Sequence, residues 1–139
     1  MYPEDLIAPM RSELTNVGFK ELKSAEEVDN QIKDYEGTTF IVINSVCGCA
    51  AGAARPGVRY ALEKTSAKPD VLATVFAGND VEAVAKVREL HLPYPPSSPA
   101  MAMFKNGELV HFIERHHIEG RNAQMIGDHL VEVFEHFCK

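Results

Sequence analysis

Two cysteines separated by one residue, Cys47-Gly48-Cys49, follow closely on the apolar run Phe40-Ile41-Val42-Ile43 and lead into a helix-like stretch. A thiol at a helix start feels the positive end of the backbone dipole and several unpaired N–H groups, which favour thiolate over thiol and create a nucleophile near neutral pH. Cys47, at or near the N-cap, is the expected attacking thiolate, its sulfur accepting from the N–H groups of the next turn. Cys49, inside the first turn and less acidic, suits the resolving role. Gly48 has no β-carbon and can take the backbone angles of a tight ring, although a glycine that merely finishes a turn would be the same residue. Two other readings stand beside this one. The cysteines could be small buried residues of a strand–helix turn, or they could hold zinc or copper together with one or both of His116 and His117. Against the metal, a C-x-C pair supplies only two ligands, and no second C-x-C or C-x-x-C follows.

The chain must supply a scaffold for that turn. At 139 residues and 45% hydrophobic content it is long enough for one domain, 1–139, with a sizeable core. Fourteen basic against 20 acidic residues give a net charge of -6 with no block of Lys and Arg, which argues against a nucleic-acid partner. The start, Met1-Tyr2-Pro3-Glu4-Asp5, lacks a signal peptide's basic and apolar regions, and no apolar run approaches the ~20 residues that span a bilayer. A cytoplasmic protein without a membrane partner is expected. In that reducing compartment three cysteines do not read as a disulfide framework, so the close pair serves redox exchange or a metal. Cys138 is either a reserve resolving thiol or an accidental one at a frayed end.

Helical spacing of Leu6, Ile7, Met10, Leu14 and Val17 predicts an amphipathic helix over 4–17, closed by Gly18. Phe19 to Leu22 is an edge strand or a connector. Ser24 and Glu27 form a capping box for a second helix that ends at Gly37. Thr38 to Asn44 shows almost no alternation, as expected of a central strand buried on both faces of a parallel α/β sheet. The cysteine turn therefore follows the carboxyl end of a central strand, where chemistry gathers in open α/β sheets. Ala50 to about Ser66 continues as a helix kinked by Pro56, Val71 to Phe76 is a second buried strand, and Asp80 caps a helix to about His91. After a proline-rich connector, Ala100–Phe104 and Leu109–Ile113 flank Lys105-Asn106-Gly107-Glu108, a strong hairpin signal. A last helix runs from about Gly120 to Phe137. Arg55 and Arg59, one helical turn apart, read as a solvated face, with binding of an anion as the alternative.

Strand, thiol turn, helix, strand, helix, proline loop, hairpin and helix is the order of the thioredoxin fold. Pro99-Ala100-Met101-Ala102-Met103-Phe104-Lys105-Asn106-Gly107-Glu108 resembles thioredoxin's cis-proline, four apolar strand residues and F-K-N-G-E. In place of W-C-G-P-C stands Ser45-Val46-Cys47-Gly48-Cys49-Ala50-Ala51-Gly52, which resembles the C-G-C signature of the bacilliredoxins, and the similarity extends along the chain through Arg55-Pro56-Gly57. The resemblance implies a thioredoxin-like three-layer α/β/α fold with a central mixed sheet and an extra N-terminal helix. It also implies a thiol-disulfide oxidoreductase that removes bacillithiol from mixed disulfides on client proteins, with disulfide isomerase activity as the alternative. Bacillithiol would be a co-substrate, with no bound cofactor.

By the same resemblance, a cis bond between Ser98 and Pro99 would turn the chain beside the cysteines and leave the Ser98 backbone free to pair with a client. The hairpin then returns Arg115, His116 and His117 level with Pro99. Either histidine would stabilise a thiolate or supply a proton, and Arg115 would meet a carboxylate, unless all three are solvated loop residues. Two departures from thioredoxin stand out: the strand before the motif offers only Asn44 where thioredoxins bury an acid, and the chain has no tryptophan. A ring closed through one intervening residue is strained, which predicts a couple more oxidising than thioredoxin's ~-270 mV. A docking scaffold with inert thiols is the remaining competitor.

Overall fold

Seven consecutive buried residues, Thr38–Asn44, form the strand around which the computed structural model, describing residues 1–138, is organised. This strand, β2, joins β1 (Lys20–Glu21), β3 (Val71–Phe76), β4 (Ala100–Lys105) and β5 (Glu108–Ile113) in a five-stranded sheet of order β1-β3-β2-β4-β5. Strand β3 is parallel to β1 and β2, whereas β4 is antiparallel to both β2 and β5, so the sheet is mixed. Because side chains alternate along a strand, Phe40 and Val42 enter one core and Ile41 and Ile43 the other. That two-sided burial explains the near-continuous apolar run of β2.

The helices are α1 (Glu4–Thr15), α2 (Ala25–Val28, widened into a π turn over Asp29–Lys33), α3 (Arg55–Lys64), α4 (Val81–Leu90), α5 (Arg115–Ile118) and α6 (Ala123–Phe137). Helices α3 and α6 cover one face of the sheet, while α2 and α4 cover the other. This is the expected three-layer arrangement, with α1 added at the N-terminal end. Phe40 anchors the first core, its ring edge-on to Phe134 at 5.1 Å and to Phe19 at 6.2 Å between centroids. Helices α3 and α6 meet closely at two glycines. A Cβ on Gly57 would stand 2.7 Å from Ile126 Cγ2, and one on Gly127 would run into the Tyr60 ring.

Asp80 departs from its expected role. Its backbone carbonyl accepts from Val84 N–H at 2.8 Å at the start of α4, but its side chain makes no cap bond. The carboxylate turns inward, receiving both Arg11 Nη atoms at 2.9 Å and Phe76 N–H at 2.9 Å. A two-bonded guanidinium is a stronger partner than one helix amide, which explains the turn away from α4. Through this pair α1 is fastened to the carboxyl end of β3. Ser24 does cap α2, accepting from Glu27 N–H at 3.1 Å. The hairpin turns at Asn106 (φ 52°) and Gly107 (φ 82°), with an irregularity in register between Met103 and Phe104. Among the described residues no helix is long and apolar enough to cross a membrane.

Candidate active site

Strand β2 delivers the chain to Ser45, and helical geometry begins at Gly48. The carbonyl of Cys47 accepts the N–H groups of Ala50 at 2.9 Å and Ala51 at 3.3 Å, so Cys47 occupies the N-cap position. Its Sγ lies 2.7 Å from Cys49 Sγ, close enough to share a proton, and both cysteines are partly exposed free thiols. The two sulfurs titrate apart. Hydrogen bonding from the Cys49 thiol holds Cys47 below an ordinary thiol; partial burial opposes this, and the N–H groups of Cys49 and Ala50 and the charge of Arg115 reinforce it. Cys49 is pushed up to about 11, by burial first and then by its hydrogen bond to Cys47. The arrangement can present one thiolate to solvent while keeping the second sulfur protonated beside it.

Past the cysteines the helix widens. Over Ala50–Ala54 it makes a π turn in which Arg55 N–H reaches the Ala50 carbonyl. Pro56 then falls in the first turn of α3, where its missing N–H costs little, so the wide turn replaces the expected kink at the proline. Gly48 does not adopt a positive φ, and a Cβ there would meet nothing within 4 Å. The dithiol form therefore asks nothing of Gly48 that only glycine can give.

Arg55 is not a solvated residue. Only 2% exposed, it reaches back beneath the turn and donates from Nη1 to Asn44 Oδ1 at 3.0 Å and to the Ser45 carbonyl at 2.9 Å. Its Nε stands 3.0 Å from Glu13 Oε2, an ion pair too bent to count as a hydrogen bond. Asn44, in the strand position where an acid was missed, accepts from Ser45 N–H at 2.8 Å and donates to the Met10 carbonyl at 3.1 Å. Ser45 Oγ accepts from Cys47 N–H at 3.0 Å. The run Ala50-Ala51-Gly52-Ala53-Ala54 held a clue, since small side chains leave room for a long one, while Arg59 on the same helix is exposed.

On the facing side the Ser98–Pro99 bond is cis, as is Leu92–Pro93. The Ser98 carbonyl is not free as expected: Arg115 Nη1 donates to it at 3.3 Å, and Arg115 N–H donates to Ser97 Oγ at 3.2 Å. Arg115 also bonds Glu119 at 3.2 Å, and these two side chains both act on Cys49. His116 and His117 engage Glu114 instead. His116 Nε2 lies 3.9 Å from its carboxylate, and Glu114 N–H donates to His117 Nδ1 at 3.2 Å. Among the described residues, Glu114, His116 and His117 are the one group of three potential metal ligands lying within 4.8 Å of one another, and the cysteines are not in it. The Cys/His metal set considered from sequence is therefore not assembled. Cys138 lies beside Thr38, at the opposite end of β2 from the cysteine turn, ~20 Å away at strand rise. It is partly buried rather than frayed, and too distant to act as a reserve resolving thiol.

A paired-thiol turn at the carboxyl end of the central strand, with a cis-proline leading into the neighbouring antiparallel strand at the same end of a mixed sheet, defines a thiol-disulfide oxidoreductase of thioredoxin fold. Solved structures with that fold include thioredoxin from Malassezia sympodialis (TM-score 0.61, 14% identity, 88% of this chain and 92% of that one). Another is mitochondrial thioredoxin 3 from Saccharomyces cerevisiae in its oxidised form (TM-score 0.56, 18% identity, 90% and 99%). A family described as disulphide isomerase matches residues 2–138. A bacilliredoxin of Cytophaga hutchinsonii is 64% identical over 135 residues, covering 97% of this chain and 98% of its own length. One from Geobacillus kaustophilus is 50% identical over 137 residues, covering 99% and 94%. The chain belongs to the bacilliredoxin family.

Proposed function

We propose that this oxidoreductase removes bacillithiol from mixed disulfides on oxidised cytoplasmic proteins, with Cys47 as nucleophile and Cys49 as resolving thiol. The observation that carries the reading is the split between the two sulfurs, one favoured as thiolate at the helix start and the other kept protonated near 11. The Cys47 thiolate attacks the bacillithiol sulfur of the client's mixed disulfide. The client sulfur leaves as thiolate and takes a proton, and a Cys47–bacillithiol disulfide remains. A second bacillithiol thiolate can then attack the bacillithiol sulfur of this adduct, returning Cys47 and leaving as bacillithiol disulfide. Alternatively, Cys49 loses its proton and attacks Cys47, closing the internal disulfide and releasing bacillithiol, and an external thiol pair later restores both cysteines. Low acidity at Cys49 favours the first route, because little of it is ionised near neutral pH. Bacillithiol acts as co-substrate, without a bound cofactor. Ser98 and Pro99 shape the wall that a client lies against, and Gly48 matters for the ring-closed form. His116 and His117, held by Glu114, serve the rim rather than the proton transfer itself.

The test is mass spectrometry of Cys49→Ala protein incubated with a bacillithiolated client. A bacillithiol adduct on Cys47 with release of unmodified client is expected. The matched family's description as disulphide isomerase favours a second reading, in which Cys47 attacks client sulfur. That chemistry would leave an adduct retaining the client polypeptide, and would displace the first proposal.

A further inference from the structure

The buried guanidinium under the cysteine turn has no place in the exchange chemistry, yet its contacts lead to it. Arg55 Nη1 holds Asn44 Oδ1 and the Ser45 carbonyl together, Asn44 Oδ1 also takes Ser45 N–H, and Ser45 Oγ takes Cys47 N–H. Each link is a hydrogen bond of 3.0 Å or less. From the other side, α1 contributes Glu13 to the Arg55 charge and the Met10 carbonyl to Asn44. A long side chain from the first residue of α3 thus ties that helix to the strand end from which the turn departs.

We propose that Arg55 is a positioning residue for the thiol exchange. By clamping Asn44 and Ser45 from below, it fixes the Cys47 amide and aims the first N–H groups of the helix at the Cys47 sulfur. The inference rests on Cys47 being the nucleophile. The guanidinium itself stays buried and paired with Glu13, and it works through geometry. Its planar fork reaches two acceptors with one nitrogen and Glu13 with another, which a lysine ammonium cannot do at once. The helix dipole and end amides act only over the first turn, so a small change in where the strand hands over to the helix alters their hold on the sulfur.

The experiment measures the alkylation rate of Cys47 against pH in a Cys138→Ser background, with peptide mapping to separate it from Cys49. The proteins are the parent, Arg55→Met, Arg55→Lys, and Val87→Ala, a core truncation in α4 on the far side of the sheet. Arg55→Met is expected to move the profile upward so that alkylation below the titration midpoint slows roughly tenfold, one pH unit of thiolate fraction. Arg55→Lys should recover part of that loss. Val87→Ala, destabilised without touching the turn, should keep the parental profile, which separates positioning from general loss of stability. Should circular dichroism show Arg55→Met unfolded, Ser45→Ala takes its place, because it keeps the charge pair and removes only the acceptor of Cys47 N–H. A folded Arg55→Met, or a folded Ser45→Ala in its absence, with the parental profile overturns the proposal. A parent protein in which Cys47 reacts no faster than an ordinary thiol would overturn the reading of Cys47 instead.

Discussion

Replacing Cys49 tests the electrostatics of the site without touching the attacking sulfur. The largest influence holding Cys47 low is the hydrogen bond from the Cys49 thiol across 2.7 Å. A hydrogen bond to a charged acceptor is worth about 1.5–3 kcal/mol, and partial solvation of this sulfur places it at the lower end. With about 1.4 kcal/mol per pH unit, Cys49→Ala should raise the Cys47 titration by about one unit. Cys49→Ser retains a donor at the same place and should leave Cys47 low. The two variants differ by little more than one polar hydrogen and its oxygen, so their comparison isolates the donor from the change in burial. In a Cys138→Ser background, thiolate ultraviolet absorbance against pH reads Cys47 directly in both variants. Coincident curves for the alanine and serine proteins, both at the parental position, would refute the reasoning and shift the credit to the helix amides and Arg115.

Arg115→Gln removes a positive charge that lowers both thiols and frees the Ser98 carbonyl. Alkylation of Cys47 below its titration midpoint should slow severalfold, and the difference from the parent should shrink as salt screens the charge in the parent. Burial raises the Asp80 carboxyl, but hydrogen bonds from Arg11 and Phe76 N–H outweigh it and hold the group below its ordinary 3.8. The unfolded chain therefore binds that proton first, so the contribution is complete above 3.8 and is lost as pH falls through the folded value. Urea unfolding at descending pH should show this loss in the parent and a flatter dependence in Asp80→Asn, which should also be about 1–2 kcal/mol less stable at neutral pH because Arg11 loses its buried carboxylate and keeps only the more exposed Glu4 and Glu21. Gly57→Ala should lower stability by about 1–3 kcal/mol, since its methyl would meet Ile126 across the α3–α6 crossing, and thermal unfolding reads that loss.

The parallel strands are legible because burial on both faces leaves a β-branched apolar run: β2 is buried throughout and β3 over its last four residues. Thr38–Asn44 and Val71–Phe76 begin and end where apolar patterning places them, and Asn106-Gly107 sets the hairpin by its own backbone preferences. The N-cap placement of Cys47 follows in turn from the end of β2. What patterning missed are choices made by partners distant in sequence. Arg55 looked solvated because Arg59 shares its spacing, and only the packing of α1 shows that Glu13 lies against it. Asp80 looked like a cap because a short acid before a helix usually is one, yet Arg11, 69 residues away, takes its carboxylate. Counting strand residues places His116 and His117 level with Pro99. That count fixes where the backbone returns, and Glu114 decides where the rings point.

The outer strand β5 has one unpaired edge, and open edges invite other chains to add on and grow aggregates. Here the connector lies against that strand, with Tyr94 stacked on Phe112 at 4.9 Å and Leu92 and Pro93 walling a cavity with Leu109–Phe112. Prolines have no N–H to offer, so this cover cannot extend the ladder that it shields. An oxidoreductase that must let other proteins approach its cysteine turn thereby has this edge screened by a segment with few amides to offer them.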